Sequence, residues 1–566
     1  MMRDGKNYWH CVVAVIAVAM GLVALATISS AQVDDNSRSR GSPPNSTPAE
    51  LKDGEASNFD MAGPATAACV IQDSKGKPVL NNNDPLAKLL LASGACPRNV
   101  FELRSRLLAA GAKIKTTLVA NRGFHNPKLG SFSMFELVSG RLNSLGIDIN
   151  DGDFFFGHFT GTRGVSTLIA EQQPDPEALM IELIAWDPVN QVFNFYELIG
   201  DGQKGQWFYR GNSLDILIDV TLLHRQPNPS QPQFGNRLRC SACHIAGGPI
   251  MKELAAPHND WWTTARPLPF GKWKPDADLA RILQGLVDAG ELAKSVKAGL
   301  SKLYGSGKFQ QAQRTLSLQE QLRPLFCPVE LNLASASTPL DQNGPQIKIP
   351  SAFFVQPMLA QGSVTIVRAH YDAALAATRA KFPETSRADA DHAWLTPVRA
   401  FSDSLAIASL VKQGLVDQEF VCDVLAIDLT NPLFSTARCS LLRMLPNNAA
   451  GDWQAAFKAS LKASKNPAAQ ELLSNLTDPS RNAKFHQDRA ARFLNQCQNR
   501  LQTKDAVIEM YRLLAQRRAE VRASEISKNP RGQILEPGFR VIFPVVTPAA
   551  TPGRLRLTED GKVMSQ

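Results

Sequence analysis

The sequence predicts an α+β protein, with a β-rich N-terminal half followed by a mainly α-helical C-terminal half. Between residues 113 and 223, apolar and aromatic runs alternate with clusters of turn-forming residues, which is typical of strands. From residue 275 onward, leucine and alanine recur at helical spacing. The predicted organisation is a signal peptide at 1–31, a disordered leader at 32–66, a β-rich domain at 67–274, an α-helical domain at 275–530 and an extended tail at 531–566.

The first 31 residues have the pattern of a bacterial export signal. Arg3 and Lys6 precede an apolar run at 12–28, and small residues at 29–31 offer a cleavage site before Gln32. The 17-residue run is at the lower limit for crossing a bilayer, so cleavage is favoured over a permanent anchor. We therefore expect a periplasmic or secreted protein with no stable membrane span after cleavage.

The charge of the chain constrains its partners only weakly. The full chain carries a formal net charge of +9, and removal of Arg3, Asp4 and Lys6 with the signal leaves +8. Such an excess favours an acidic partner protein. Lysine and arginine are scattered without a basic run, which argues against nucleic-acid binding. The polar leader at 32–66 holds too few apolar residues to form a core of its own.

Two short helices are predicted before the strands begin. Asp84 followed by Pro85 fits an N-cap and the first helical position, with an end near Gly94. Asn99 fits the N-cap of a second helix that ends at Gly111.

The strand region contains a clear hairpin signal. Residues 179–186 and 191–199 are apolar and aromatic runs, and the segment Asp-Pro-Val-Asn at 187–190 separates them. A second turn at 200–205 leads to a third strand at 206–210. This pattern predicts an antiparallel meander whose last strand leads into the segment around residue 240.

The C-terminal half is predicted to be helical over most of its length. The stretches with helical periodicity are 276–303, 367–381, 452–463, 481–500 and 505–525. No internal repeat is present in the sequence.

Cys240, Cys243 and His244 form a C-x-x-C-H motif. On a helical turn, residues at i, i+3 and i+4 share one face, so two thiols and an imidazole would point the same way. The motif resembles the haem attachment site of c-type cytochromes. The resemblance covers five residues and implies one covalent haem c, with thioether bonds to both cysteines and His244 as the proximal iron ligand.

Two other interpretations of the motif have less support in the sequence. A thioredoxin-like redox pair requires a βαβ context, whereas a loop rich in proline and glutamine precedes Cys240. A structural zinc site requires a second pair of ligands, and no other C-x-x-C exists in the chain.

The ligand on the other side of the iron is left open. His258 is the first candidate because fourteen residues give it easy reach from His244. The alternatives are Met251, Met358, Met444 and His158. The carbonyl of Pro249 is a candidate acceptor for the other ring N–H of His244, and a tight turn explains Gly-Gly-Pro at 247–249 equally well.

Six cysteines remain after signal cleavage and haem attachment. In an oxidising compartment they suggest up to three disulfides, although six cysteines permit fifteen pairings. Cys69 and Cys96 form the most local pair. The remaining four, in the second half of the chain, are expected to form two bridges or to stay as buried thiols; they are Cys327, Cys422, Cys439 and Cys497.

Three functions fit this sequence. A periplasmic electron carrier is favoured by covalent haem in an exported chain. A peroxidase- or oxygenase-like haem enzyme with an open distal site is favoured by the size of the chain, since small carriers need far fewer residues. A haem-based sensor or accessory protein is the third, so whether the protein is an enzyme stays open. No hydrolase triad, phosphate-binding loop or H-E-x-x-H motif stands out.

Overall fold

A computed structural model provides the fold of this chain. The structure describes residues 81–92, 96–118, 131–161, 179–199, 206–218, 244–250, 277–328, 330–334, 344–380, 393–433, 435–526 and 553–565.

Two short helices open the described part of the chain, as the sequence predicts. Helix α1 spans Pro85–Ala92, and the carboxylate of Asp84 accepts a hydrogen bond from the backbone N–H of Ala87 at 3.0 Å. Helix α2 spans Val100–Ala109, and the Asn99 side chain accepts from the N–H of Glu102. Both caps satisfy N–H groups that a helix start leaves unbonded.

A six-stranded antiparallel meander forms the centre of the N-terminal half. Its strands lie side by side in chain order, so every connection joins neighbours. They are β1 Ala112–Leu118, β2 Ser131–Leu142, β3 Ile147–Gly161, β4 Leu179–Asp187, β5 Val192–Ile199 and β6 Gln206–Asn212. The predicted hairpin is β4 and β5, with Asp187 opposite Val192.

Both faces of this sheet are covered. Successive side chains of a strand point to opposite faces, so Phe154 and Phe156 of β3 join the core formed with α1 and α2. Phe155, between them, joins a second core on the other face. In β5, Phe195 lies on that second face and Tyr196 on the first. Because both faces of the sheet are buried, the sequences of its strands are nearly continuous apolar runs.

Helices cover the second face of the sheet. They are α3 Ser213–Ile218, α4 Ala277–Gln284, α5 Ala289–Gly305 and α6 Gly307–Arg314. Leu292, Val296 and Leu300 of α5 pack against the sheet residues. Gly299 permits the close approach, since a Cβ there would lie 2.8 Å from the Gly152 carbonyl and 2.8 Å from the Pro249 ring.

The C-terminal half has a separate, mainly helical core. Its helices are α7 Leu318–Phe326, α8 Arg368–Thr378, α9 Phe401–Lys412, α10 Gln418–Leu425, α11 Thr436–Ser440, α12 Trp453–Ala463, α13 Pro467–Thr477, α14 Ala483–Arg500 and α15 Lys504–Ile526. Single 3₁₀ turns occur at Ser351–Phe353 and Leu441–Met444. Of the long helical stretches predicted from periodicity, 276–303 is divided into α4 and α5 by a break at 285–288, and the other four each contain one helix.

Three two-stranded sheets are added to this half. Strand β7 Leu331–Ala334 pairs with β10 Thr396–Arg399, and β8 Gln346–Pro350 pairs with β9 Ser363–Val367. Within the region that the sequence reads as an extended tail, β11 Leu555–Leu557 and β12 Val563–Ser565 form a hairpin. Leu557 is buried in the helical core.

The α+β class is confirmed, with the large sheet in the N-terminal half and helices mainly in the C-terminal half. Among the described residues, none of the helices has the length and apolar character needed to cross a bilayer.

Candidate functional site

The segment 244–250 lies on the second face of the sheet. The His244 ring meets the ring of Phe195 edge-on, with centroids 5.2 Å apart and planes at 61°. Ile245 is buried, and Ala246 packs at the margin of the core that α5 and the sheet share. The segment is therefore held by strand β5 on one side and by helix α5 on the other.

A tight turn shapes this segment. The N–H of Gly247 donates to the His244 carbonyl at 2.7 Å, and Gly247 has a φ of +75°, a left-handed conformation that favours glycine. A Cβ there would lie 3.2 Å from the Ser213 carbonyl and 3.3 Å from the Phe309 ring. Glycine is thus required at this position for both backbone conformation and space.

The turn gives the His244 ring a hydrogen-bond partner. Nδ1 of His244 lies 2.8 Å from the carbonyl oxygen of Gly248. A carbonyl only accepts, so Nδ1 carries the proton and donates it, and in the neutral imidazole Nε2 then keeps its lone pair. The sequence had suggested the carbonyl of Pro249 instead. The acceptor is one residue earlier because the turn at Gly247 points the Gly248 carbonyl back at the ring.

A histidine held in this way suits a metal ligand. Ligating histidines commonly donate their second N–H to a carbonyl or carboxylate, which fixes the tautomer and increases the basicity of the ligating nitrogen. Cys240 and Cys243 lie outside the described residues, as do His258 and Met251. Within the ranges that the structure describes, no group of three or more His, Cys, Asp or Glu side chains is arranged to hold a metal ion.

Three of the alternative distal ligands are described. His158 is fully buried in the sheet, and its Nε2 lies 3.0 Å from the carboxylate of Glu136, an interaction that lowers the pKa of that carboxyl against the opposing effect of burial. That bond occupies Nε2, one of the two ring nitrogens with which a histidine can bind a metal. Met358 and Met444 pack against the core of the helical half, so apolar packing accounts for both.

The cysteines follow the sequence expectation only in part. Cys327, just after α7, and Cys439, in α11, form a disulfide with Cα atoms 4.9 Å apart. Cys422 and Cys497 carry buried thiols, so the second half holds one bridge rather than two among these four. Burial raises the pKa of Cys497 to about 12, which keeps it protonated. Cys96 is disulfide-bonded, and its predicted partner Cys69 lies outside the described residues.

A small cleft of about 90 Å³, open to solvent, adjoins the segment. We call it the junction cleft because the N-terminal half supplies Leu217, Ile245 and Ala246 while helix α9 supplies Ser402, Asp403 and Ala406. Ile245 and Ala246 directly follow His244 in the chain. The cleft has room for only a small group and has a mixed polar and apolar lining.

Several residues that line the junction cleft are polar. Ser402 donates to the Glu330 carboxylate at 2.9 Å, and Asp403 lies 3.5 Å from the guanidinium of Arg399. Tyr304 also lines the cleft, and burial, followed by the charges of Asp403 and Glu330, raises the pKa of its hydroxyl well above the ordinary range. Tyr304 therefore stays protonated.

Sequence reasoning singled out His244 but did not predict its contacts with Phe195 and Gly248, or the junction cleft. The alternation of Phe193 and Phe195 in β5 signals one buried sheet face, yet nothing in it names the histidine as a neighbour. The cleft is assembled from segments more than 150 residues apart, which no local pattern reveals.

No family model, curated protein or solved structure matches this chain.

Proposed function

We propose that this protein is an exported c-type cytochrome that binds one covalent haem and transfers electrons. Cys240 and Cys243 would form the thioether bonds, and His244 would be the proximal ligand of the iron. The observation that carries the proposal is the hydrogen bond from His244 Nδ1 to the Gly248 carbonyl, 2.8 Å long. It orients the imidazole and leaves Nε2 as the metal-facing atom, which is what a C-x-x-C-H motif requires.

The residues of the chain contribute orientation and environment. The Gly247 turn holds the Gly248 carbonyl against Nδ1, and Phe195 packs edge-on against the imidazole. The hydrogen bond makes His244 a stronger electron donor, which stabilises the more highly charged state of a bound iron. A haem bound here supplies a one-electron ferric/ferrous couple. The +8 net charge expected after signal cleavage favours an acidic redox partner.

Export from the cytoplasm has independent support. The Cys327–Cys439 disulfide is typical of an oxidising compartment, and residues 1–31 have the pattern of a signal peptide. We therefore place the mature protein in the periplasm or outside the cell. N-terminal sequencing of protein secreted by a bacterial host checks this, with Gln32 as the expected first residue.

Haem attachment is tested with the full chain produced in a host that matures c-type cytochromes. Acid-acetone extraction should leave the haem on the polypeptide, and reduction should give the spectrum of a thioether-bound haem. Replacing both cysteines (Cys240→Ala with Cys243→Ala) should abolish attachment. His244→Ala should lose the proximal ligand, while His370→Ala, on helix α8, should leave the spectrum unchanged. A wild-type protein without bound tetrapyrrole would end the proposal.

A second candidate function is a haem oxidoreductase with an open distal position. The junction cleft favours it, because Ile245 and Ala246 place a solvent-accessible space beside the proximal histidine. Carbon monoxide separates the two functions. A reduced spectrum that the gas leaves unchanged supports a six-coordinate carrier, whereas rapid binding supports an open iron.

A further inference from the structure

The C-terminal hairpin of β11 and β12 lies on a surface formed by α14, α15 and the turn after α10. The tip of the hairpin approaches α14 closely, since a Cβ at Gly561 would lie 3.2 Å from the backbone nitrogen of Cys497. Gly561 also has a φ of +79°, so glycine permits both the turn and the approach. We call this surface the hairpin seat; its residues are Thr430, Arg489, Gln496, Cys497 and Gln516.

The hairpin seat holds the backbone of β11. The Gln516 side chain donates to the Leu555 carbonyl at 3.1 Å and accepts from the Leu555 N–H at 2.6 Å, as a neighbouring strand would. The Thr430 hydroxyl donates to the Leu557 carbonyl at 2.7 Å. These bonds involve only backbone atoms of the hairpin, so they recognise an extended strand rather than particular side chains.

Two side chains of the hairpin add specificity. Leu557 is 5 % exposed and belongs to the helical core, and within 553–565 its side chain is the one that is buried. The carboxylate of Glu559 makes two hydrogen bonds with Arg489, at 2.5 Å to Nη2 and 3.0 Å to Nε. The hairpin seat therefore fits a strand that carries a leucine and, two residues later, a carboxylate.

The contacts that hold the hairpin are few. A two-stranded hairpin by itself is at best marginally stable in water, so β11 and β12 depend on the seat for their pairing. The Arg489–Glu559 pair is partly exposed, with 45 % of the Glu559 side chain accessible, and such pairs contribute little. Undocking should therefore cost less free energy than unfolding of the helical half.

The docked hairpin lies beside a buried thiol. Cys497 is fully buried and belongs to the same core as Leu557. Burial is the main cause of the raised pKa of Cys497, the charge of Arg517 opposes it, and the charge of Asp560 at the hairpin tip adds to it. A buried, protonated thiol is inert, whereas an exposed thiol in an oxidising compartment reacts.

We propose that the hairpin seat binds residues 553–565 reversibly and that docking of this hairpin controls solvent access to the thiol of Cys497. The partner of the seat is thus a segment of the same chain. The inference goes beyond the proposed cytochrome function and does not rest on it, because the contacts that carry it lie in the helical half.

Alkylation of the mature full-length protein with iodoacetamide, resolved by peptide mass spectrometry, tests the inference. The thiolate sulfur displaces iodide and the thiol proton goes to the buffer, so the rate follows the undocked fraction. Leu557→Ala should raise the rate at Cys497 at least about tenfold, because it removes the buried anchor. Glu559→Gln should raise it about two- to fivefold, since it removes one exposed ion pair.

Matched controls separate undocking from loss of folding. Met564→Ala removes an exposed apolar side chain of β12, and Asp488→Asn removes an exposed acid that pairs with Lys484 on α14. Neither should change the rate at Cys497. Cys422, buried in α10, is the internal standard, and its rate should be the same in all variants.

A peptide of residues 553–566 tests the hairpin seat directly. Added at about millimolar concentration to Leu557→Ala, it should slow alkylation of Cys497 severalfold, whereas the same peptide with alanine in place of Leu557 should not. Three results would overturn the inference. They are an unchanged rate at Cys497 in Leu557→Ala, a parallel rise at Cys422, and no protection by the peptide. Each is read at these two thiols, so it is independent of whether haem is attached.

Discussion

Asp84 should make the folded state less stable as the pH rises. Its carboxylate is fully buried and accepts hydrogen bonds from the Ala87 N–H at 3.0 Å, the Asn194 amide at 2.8 Å and the Tyr196 hydroxyl at 2.5 Å. It thereby ties α1 to β5, the strand whose Phe195 contacts His244. Burial raises the pKa of Asp84 from 3.8 to about 6, and these hydrogen bonds offset only part of that effect.

The magnitude follows from this pKa. Because one pH unit corresponds to about 1.4 kcal/mol, ionising Asp84 costs the folded state about 3 kcal/mol more than the unfolded chain. Below pH 3.8 both states hold the proton, and no cost arises. Between pH 3.8 and about 6 the folded state holds more protons, so the free energy of unfolding falls as the pH rises. Above about pH 6 the full cost is present.

Asp84→Asn isolates this contribution, since asparagine does not ionise. Urea unfolding followed by tryptophan fluorescence at about pH 4 and about pH 7 gives the free energy of unfolding of both proteins. The difference between variant and wild type should shift by about 2.4 kcal/mol in favour of the variant at the higher pH, because part of the cost is already present at pH 4. Asp148→Asn, which changes an exposed aspartate of β3, is the control. If the free energy of unfolding changed equally with pH in wild type and in Asp84→Asn, the reasoning would be refuted.

Three further outcomes are expected. The Cys327–Cys439 bridge spans 112 residues, so replacing both cysteines with alanine should lower the free energy of unfolding of the helical half by about 5 kcal/mol. The midpoint of guanidinium unfolding should fall accordingly, and an unchanged midpoint would contradict this. Gly247→Ala should cost about 1–2 kcal/mol and lower the haem occupancy measured by absorbance, whereas Gly307→Ala, with open space around it, should do neither. Arg438 is buried and donates hydrogen bonds to four backbone carbonyls. Arg438→Met should therefore lower the free energy of unfolding by more than about 3 kcal/mol. A melting temperature equal to that of wild type would contradict this prediction.

Local chemistry made several elements predictable. The caps at Asp84 and Asn99 depend on hydrogen bonds within three residues, so the sequence locates both helix starts correctly. The turn at 187–190 is predictable for the same reason, because Asp187 accepts from the backbone N–H groups of Val189 and Asn190. Where a structural feature is determined by neighbours in the chain, the prediction holds.

Features built from distant segments were not predictable. Strand β10 pairs with β7 across more than 60 residues, and each strand is only four residues long. Cys327–Cys439 is one of fifteen possible pairs among the six cysteines that remain after signal cleavage and haem attachment. The acceptor for His244 depended on a left-handed turn at Gly247, and the sequence Gly-Gly-Pro allowed the carbonyl of Pro249 equally well. In each case the deciding contact is tertiary.

The position of the segment 244–250 bears on why so large a chain would carry a single haem. On one side, Phe195 and the Gly248 carbonyl hold His244 against the sheet. On the other, Ala246 lines the junction cleft together with Ala406 of the helical half. Both halves of the protein therefore contact the residues that follow His244. An electron carrier needs only the contacts that hold His244 in place. A protein that also binds a small molecule needs a space such as the junction cleft as well. If Ala406→Phe, which adds a ring to the lining of the cleft, altered the rate at which carbon monoxide reaches the reduced iron, the helical half would control access to the haem, and the protein would be more than a carrier.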